Sequence, residues 1–125
     1  MFKNTKAYSG FSVNDLQAAK DFYSKQLGID IESKGEYMFI LKIAAGNPII
    51  VYLKPDHTPA TFTILNFPVS NVEDTVDQLT AAGVEFLQYG GAIKTNEKGI
   101  HRGPEGPTVA WFTDPAGNIL SVVSE

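Results

Sequence analysis

Apolar positions alternate from Ala7 to Val13, then recur at helical spacing through Leu16, Ala19, Phe22 or Tyr23, and Leu27. The change of period from two to about 3.6 predicts a strand running into an amphipathic helix. Asn14 is the expected N-cap, with Gln17 three positions on to reach back to it, and Gly28 supplies the stop. The pattern returns from Thr61 to Val69, and Val72, Val76 and Leu79 then form an i, i+4, i+7 stripe. Here Ser70 and Glu73 make an S-x-x-E capping box and Gly83 ends the helix. A short apolar stretch follows each helix, Ile29 to Ile31 and Val84 to Leu87, and both are expected as strands.

These segments repeat. Phe11 and Phe67, Val13 and Val69, and Asp21 and Asp77 each stand 56 residues apart. Further on, Ala45-Gly46-Asn47 matches Ala116-Gly117-Asn118 at an offset of 71, with Leu41 opposite Phe112, Ile49 opposite Leu120 and Val51 opposite Val122. The second half therefore carries about 15 more residues between its helix and its last hairpin, within the glycine- and proline-rich stretch Tyr89 to Pro107. Each half reads strand, helix, three strands, with AGN as the final hairpin turn. The first repeat is expected over about 1–54, a connector rich in proline over 55–59, and the second repeat over about 60–125, all within one domain.

Composition narrows the chemistry. The chain of 125 residues has no cysteine and two histidines, His57 and His101, so thiolate and disulfide chemistry are excluded and imidazole is scarce. A formal charge of −4 lacks the basic footprint of a nucleic-acid binder. No apolar run reaches a membrane span, and MFKNTKAYSG lacks the apolar block of a signal peptide, so a cytoplasmic protein is expected. GAIKTNEKG lacks phosphate-loop spacing and no G-x-S-x-G occurs.

FSVNDLQAAKDFYSKQLGI and FTDPAGNILSVV resemble the two signature stretches of the vicinal oxygen chelate superfamily. That superfamily includes glyoxalase I, extradiol dioxygenases, fosfomycin-resistance enzymes and bleomycin-resistance binding proteins. The resemblance spans essentially the whole chain and implies an α+β fold. Two βαβββ modules in tandem would form a partly open, curled mixed-sheet barrel with the helices outside. It also implies where a divalent metal would sit in the family's enzymes: at His, Glu or Gln on the first and last strands of each module. Counting seven residues back from Asp15 and Asn71, seven on from Asp114, and across the repeat offset places those positions at Tyr8, Ile64, Ser121 and Ile50. A phenol, a hydroxyl and two aliphatic groups are a poor ligand set for Zn, Ni, Fe or Mn. The expectation is a protein with no metal or other cofactor; whether it is an enzyme stays open, and the ligand positions turn the reading toward a binder.

What remains is a cavity for a small organic, partly aromatic ligand. The expected lining is Tyr8, Ser12, Tyr52, Asn66 and Ser121, by alternation along the strands, with Trp111 beside them. Ile50 and Ile64 are expected mainly to fill space, and Trp111 either stacks on the ligand or packs under a helix or at a subunit contact. His101 and Arg102 lie in GIHRGPEGP, expected as a loop closing over the cavity mouth. There Arg102 would clamp an anionic group, or else pair with Glu97 or Glu105. A homodimer is implied by analogy with the family. The rival reading is a lyase, isomerase or dioxygenase of the same superfamily with an atypical metal site. A third is a partner protein whose cavity is filled by its own side chains.

Overall fold

A computed structural model describes residues 1–44 and 46–125. The chain divides into two compact units, Met1–Thr58 and Pro59–Glu125. The first contains β1 (Gly10–Val13), α1 (Leu16–Asp21), β2 (Asp30–Lys34), β3 (Met38–Lys42) and β4 (Ile49–Leu53). The second contains β5 (Thr63–Val69), α2 (Val72–Ala81), β6 (Ile100–His101), β7 (Val109–Thr113) and β8 (Ile119–Ser124). Each unit has its own four-stranded mixed sheet, ordered β1-β4-β3-β2 and β5-β8-β7-β6. The α+β class with two tandem βαβββ modules is what the structure shows. Among the described residues no helix is long and apolar enough to cross a membrane.

The two repeat offsets reappear as strand register. In the antiparallel hairpins, Leu41 pairs with Ile49 and Phe112 with Leu120, while Phe39 pairs with Val51 and Ala110 with Val122. In the parallel pairs, Phe11 lies beside Val51 and Phe67 beside Val122. A one-residue slip would turn every apolar side chain to the wrong face, so shared phase implies shared register. Of the two AGN turns, Gly117 takes φ +86 as expected, whereas the first-half turn has its positive φ at Ala44 and Ala45 lies outside the described residues.

In the first unit one sheet face is closed by the helix. Tyr23 is fully buried and its ring meets Phe11 on β1 and Phe39 on β3, at 5.8 and 6.4 Å between centroids. After Asp21 the helix widens into a π turn over Phe22–Gln26. The adjacent Phe22 and Tyr23 are both buried in this turn. In the second unit α2 packs on β7 and β8 and buries Val72 and Val76. Filling such positions stabilises by roughly 1.5–3 kcal/mol for each large apolar side chain.

Both caps fall one residue later than the pattern predicts. Asp15, not Asn14, accepts the Ala18 N–H at 3.0 Å, and Gln17 instead donates to Asp21. Asn71, not Ser70, accepts the Asp74 N–H, which leaves Glu73 free of the capping box. The predicted strand 84–87 is reduced to one bridge, Phe86 to Phe112, and a Leu87 N–H bond to the Trp111 carbonyl. The outer lane beside β7 is filled first by Phe86 and then, after an excursion, by β6. The added residues thus interrupt an edge strand as well as extending the loop after it.

Candidate functional site

Away from α2, the second sheet presents one row across three strands. Asn66 on β5 lies beside Ser121 on β8, and Ser121 pairs in turn with Trp111 on β7. The Ser121 hydroxyl donates to Asn66 Oδ1 at 2.5 Å. Ser121 is fully buried, whereas Asn66 is exposed. His101, on β6, stacks on Trp111 with 6.4 Å between ring centroids and 28° between planes. Tyr89 meets the same indole edge-on at 5.3 Å. Since the Lys94 carbonyl can only accept, the 3.0 Å contact with His101 Nδ1 makes that nitrogen the proton carrier, and Nε2 is the acceptor of the neutral ring. Expected residues Asn66, His101, Trp111 and Ser121 are therefore brought together on one face.

The corresponding row of the first sheet is Gly10, Ile50 and Ile40, two aliphatic groups and a glycine. A Cβ at Gly10 would stand 3.1 Å from the Ile50 carbonyl, so this row is tightly built from the backbone. One step along, Ser12 lies beside Tyr52, and Tyr52 beside Met38. Ser12 Oγ and His57 Nδ1 share a hydrogen bond of 2.6 Å. Tyr8 precedes β1 and is 65% exposed.

Arg102 is placed on the helix side. It stands just past the end of β6, and its Nη2 donates to Glu73 Oε1 at 2.8 Å. Neither Glu97 nor Glu105 is its partner in that bond. Glu73 also takes Lys98, whose ammonium reaches Asp77 as well. Hydrogen bonds first from Lys98 and then from Arg102 hold the Glu73 carboxyl below the usual carboxylate range. The segment carrying His101 is thereby tied to α2. Tyr89 and the Lys94 carbonyl escaped the sequence reading. Trp111, expected from the sequence, stands where the first sheet has only Ile40.

The model of the Glyoxalase/Bleomycin resistance protein/Dioxygenase superfamily matches residues 7–122. The chain belongs to that superfamily. Its fold is similar to a glyoxalase family protein of Bacillus anthracis, with a TM-score of 0.74 at 14% identity, covering 100% of this chain and 98% of that one. A superfamily member from Sphaerobacter thermophilus DSM 20745 gives 0.74 at 20% identity, with 100% of both chains covered. Lactoylglutathione lyase from Agrobacterium tumefaciens gives 0.70 at 18%, covering 98% of this chain and 96% of that one. No curated protein matches the chain.

The superfamily's metal can be tested against the donors present. Ile50 and Ile64 offer no lone pair, and Ile64 stands at a register shift between Thr63 and Leu65. Tyr8 lies outside the strands, and the Ser121 proton is committed to Asn66. Among the described residues no three His, Asp or Glu side chains converge. The donor set does not fit a Zn, Ni, Fe or Mn ion, which needs imidazole, carboxylate or thiolate ligands.

Proposed function

We propose that this superfamily member binds a small organic, partly aromatic ligand on the Trp111 face of its second sheet, without a metal, and sequesters it rather than converting it. The observation that carries the reading is the indole of Trp111, flanked by His101 and Tyr89 and set beside the Ser121–Asn66 pair. Flat rings stack on such a surface, and the neighbouring polar groups orient them. Arg102 enters indirectly, because its pairing with Glu73 holds the segment that presents His101. Tyr8, Ser12 and Tyr52 lie in the first unit, and the site proposed at Trp111 is built from residues of the second. A homodimer in the cytoplasm is part of the same reading, by analogy with the superfamily.

Trp111 is the only tryptophan, so intrinsic fluorescence reports directly on this face. Titration with a panel of small aromatic compounds is expected to change its emission saturably. The same compounds should raise the melting temperature, since a ligand at 100 times its Kd adds about 2.7 kcal/mol to stability. Trp111→Leu should abolish binding and leave the protein folded. A panel that moves neither signal would remove the proposal.

A further inference from the structure

We infer, on the basis of the binding site proposed at Trp111, that the ligand's ring carries an oxygen acceptor, a carboxylate or ester carbonyl, which Asn66 receives through its amide N–H groups. The orientation of the Asn66 amide follows from Ser121. That hydroxyl is fully buried, and its one hydrogen bond among the described residues goes to Asn66 Oδ1. Turning the amide over would offer Ser121 a second donor and leave its own buried proton without an acceptor, the costly way to bury a hydroxyl. Oδ1 is therefore consumed inside the protein, and the exposed end of Asn66 is the NH₂ group.

The surroundings favour the same polarity. The four strands of the second unit contain no Asp, Glu, Lys or Arg, whereas those of the first carry Asp30, Glu32, Lys34 and Lys42. The face around Trp111 therefore has no strand carboxylate to repel an anion or to hold an ammonium group. Asn66 is exposed, so a carboxylate bound there keeps part of its hydration and avoids the full penalty of burying a charge. Ser121 lies between Asn66 and Trp111 in the row, so a ring on the indole and an oxygen at the amide are one strand spacing apart on either side of it.

The test uses three probes with the same ring and chain: trans-cinnamate, methyl cinnamate and cinnamylammonium, followed by isothermal titration calorimetry on the full chain. Both acceptor probes should bind at least about ten-fold tighter than the ammonium, the scale of one hydrogen bond to a well-oriented donor. Asn66→Asp replaces the NH₂ with an oxygen at nearly constant size. It should weaken cinnamate by about ten-fold or more and tighten the ammonium. Ser121→Ala frees the amide to turn, and should narrow the preference while all three probes still bind. Equal binding of the three probes, tighter binding of the ammonium, or an Asn66→Asp variant with unchanged preference would overturn the inference and leave the aromatic site standing. If none of the three binds, the aromatic site fails and the inference fails with it.

Discussion

Lys98 Nζ lies 3.1 Å from Glu73 Oε2, so a cation from the added segment is fixed to the first turn of α2. Arg102 shares the same carboxylate, while Lys98 also reaches Asp77. All of these groups are partly exposed, so the cluster governs local order more than global stability. Glu73→Gln is expected to speed amide exchange across 98–102 several-fold with little change in melting temperature. The pH dependence has a fixed sign. The Glu73 pKa is lowered from 4.5, so its contribution is present at neutral pH and is lost as pH falls through the depressed value. The Lys98 pKa is raised from 10.5, chiefly by Asp77, so its contribution is lost only as pH rises above that. Exchange measured at pH 3 and pH 7 checks the acid limb, and 1 M salt should mimic the variant at pH 7.

Gly99 has φ +86, and a Cβ there would stand 2.8 Å from the Cβ of Phe86 and 3.1 Å from the Leu87 carbonyl. Gly106 has φ +97 with nothing within 4 Å. Gly106→Ala should cost only the left-handed backbone term, about 1–2 kcal/mol. Gly99→Ala should cost about 1–3 kcal/mol more, because backbone and an aromatic stem must move. Urea unfolding of the two variants side by side measures the difference.

Asp114 is buried and accepts the Ala116 and Asn118 backbone N–H groups at 2.9 Å, together with Asn118 Nδ2 at 3.0 Å. The DPAGN sequence is thus a turn knitted by one carboxylate. Asp114→Ala should lower stability by about 2–3 kcal/mol, because the turn loses the buried carboxylate that accepts from Ala116 and Asn118. Asp114→Asn should fall between, since its oxygen can still accept while its NH₂ opposes Asn118. Chemical denaturation orders the three proteins.

A protein whose four superfamily positions are Tyr8, Ile50, Ile64 and Ser121 should be indifferent to divalent ions. Dialysis against EDTA is expected to leave the melting temperature unchanged, and Zn, Ni or Mn should not raise it. Stoichiometric metal that survives dialysis, measured by elemental analysis, would instead favour an enzyme with an atypical site.

Much of the fold was legible because hydrophobic phase and strand pairing express one constraint. The offsets of 56 and 71 came from residue identities alone, and they return as Phe11 beside Val51 and Phe67 beside Val122. The caps were legible only to within a residue. Asn14 and Asp15, like Ser70 and Asn71, are adjacent side chains of similar capping power, and local pattern cannot rank them. With the cap at Asn71, Glu73 leaves the box and pairs instead with Lys98 and Arg102, which are 25 and 29 residues away. At the site, alternation placed Asn66 and Ser121 on one face correctly. The meeting of Tyr89, His101 and Trp111 required knowing that β6 joins the edge beside β7, and a two-residue strand leaves almost no periodic signal.

That interrupted edge has a consequence for how the molecule behaves in a crowd. An open lane of unpaired backbone N–H and C=O groups is a template on which other chains can add and aggregate. In the first sheet β2 occupies the lane, five residues long, and carries Asp30, Glu32 and Lys34 along it. The second sheet has no strand charges to deter such growth, and there the lane is occupied by one bridge at Phe86 and two residues of β6. One edge is guarded by charge and the other by brevity. Lengthening β6, for example by closing the excursion between Leu87 and Ile100, would build an uncharged edge on which copies of the chain could add to one another.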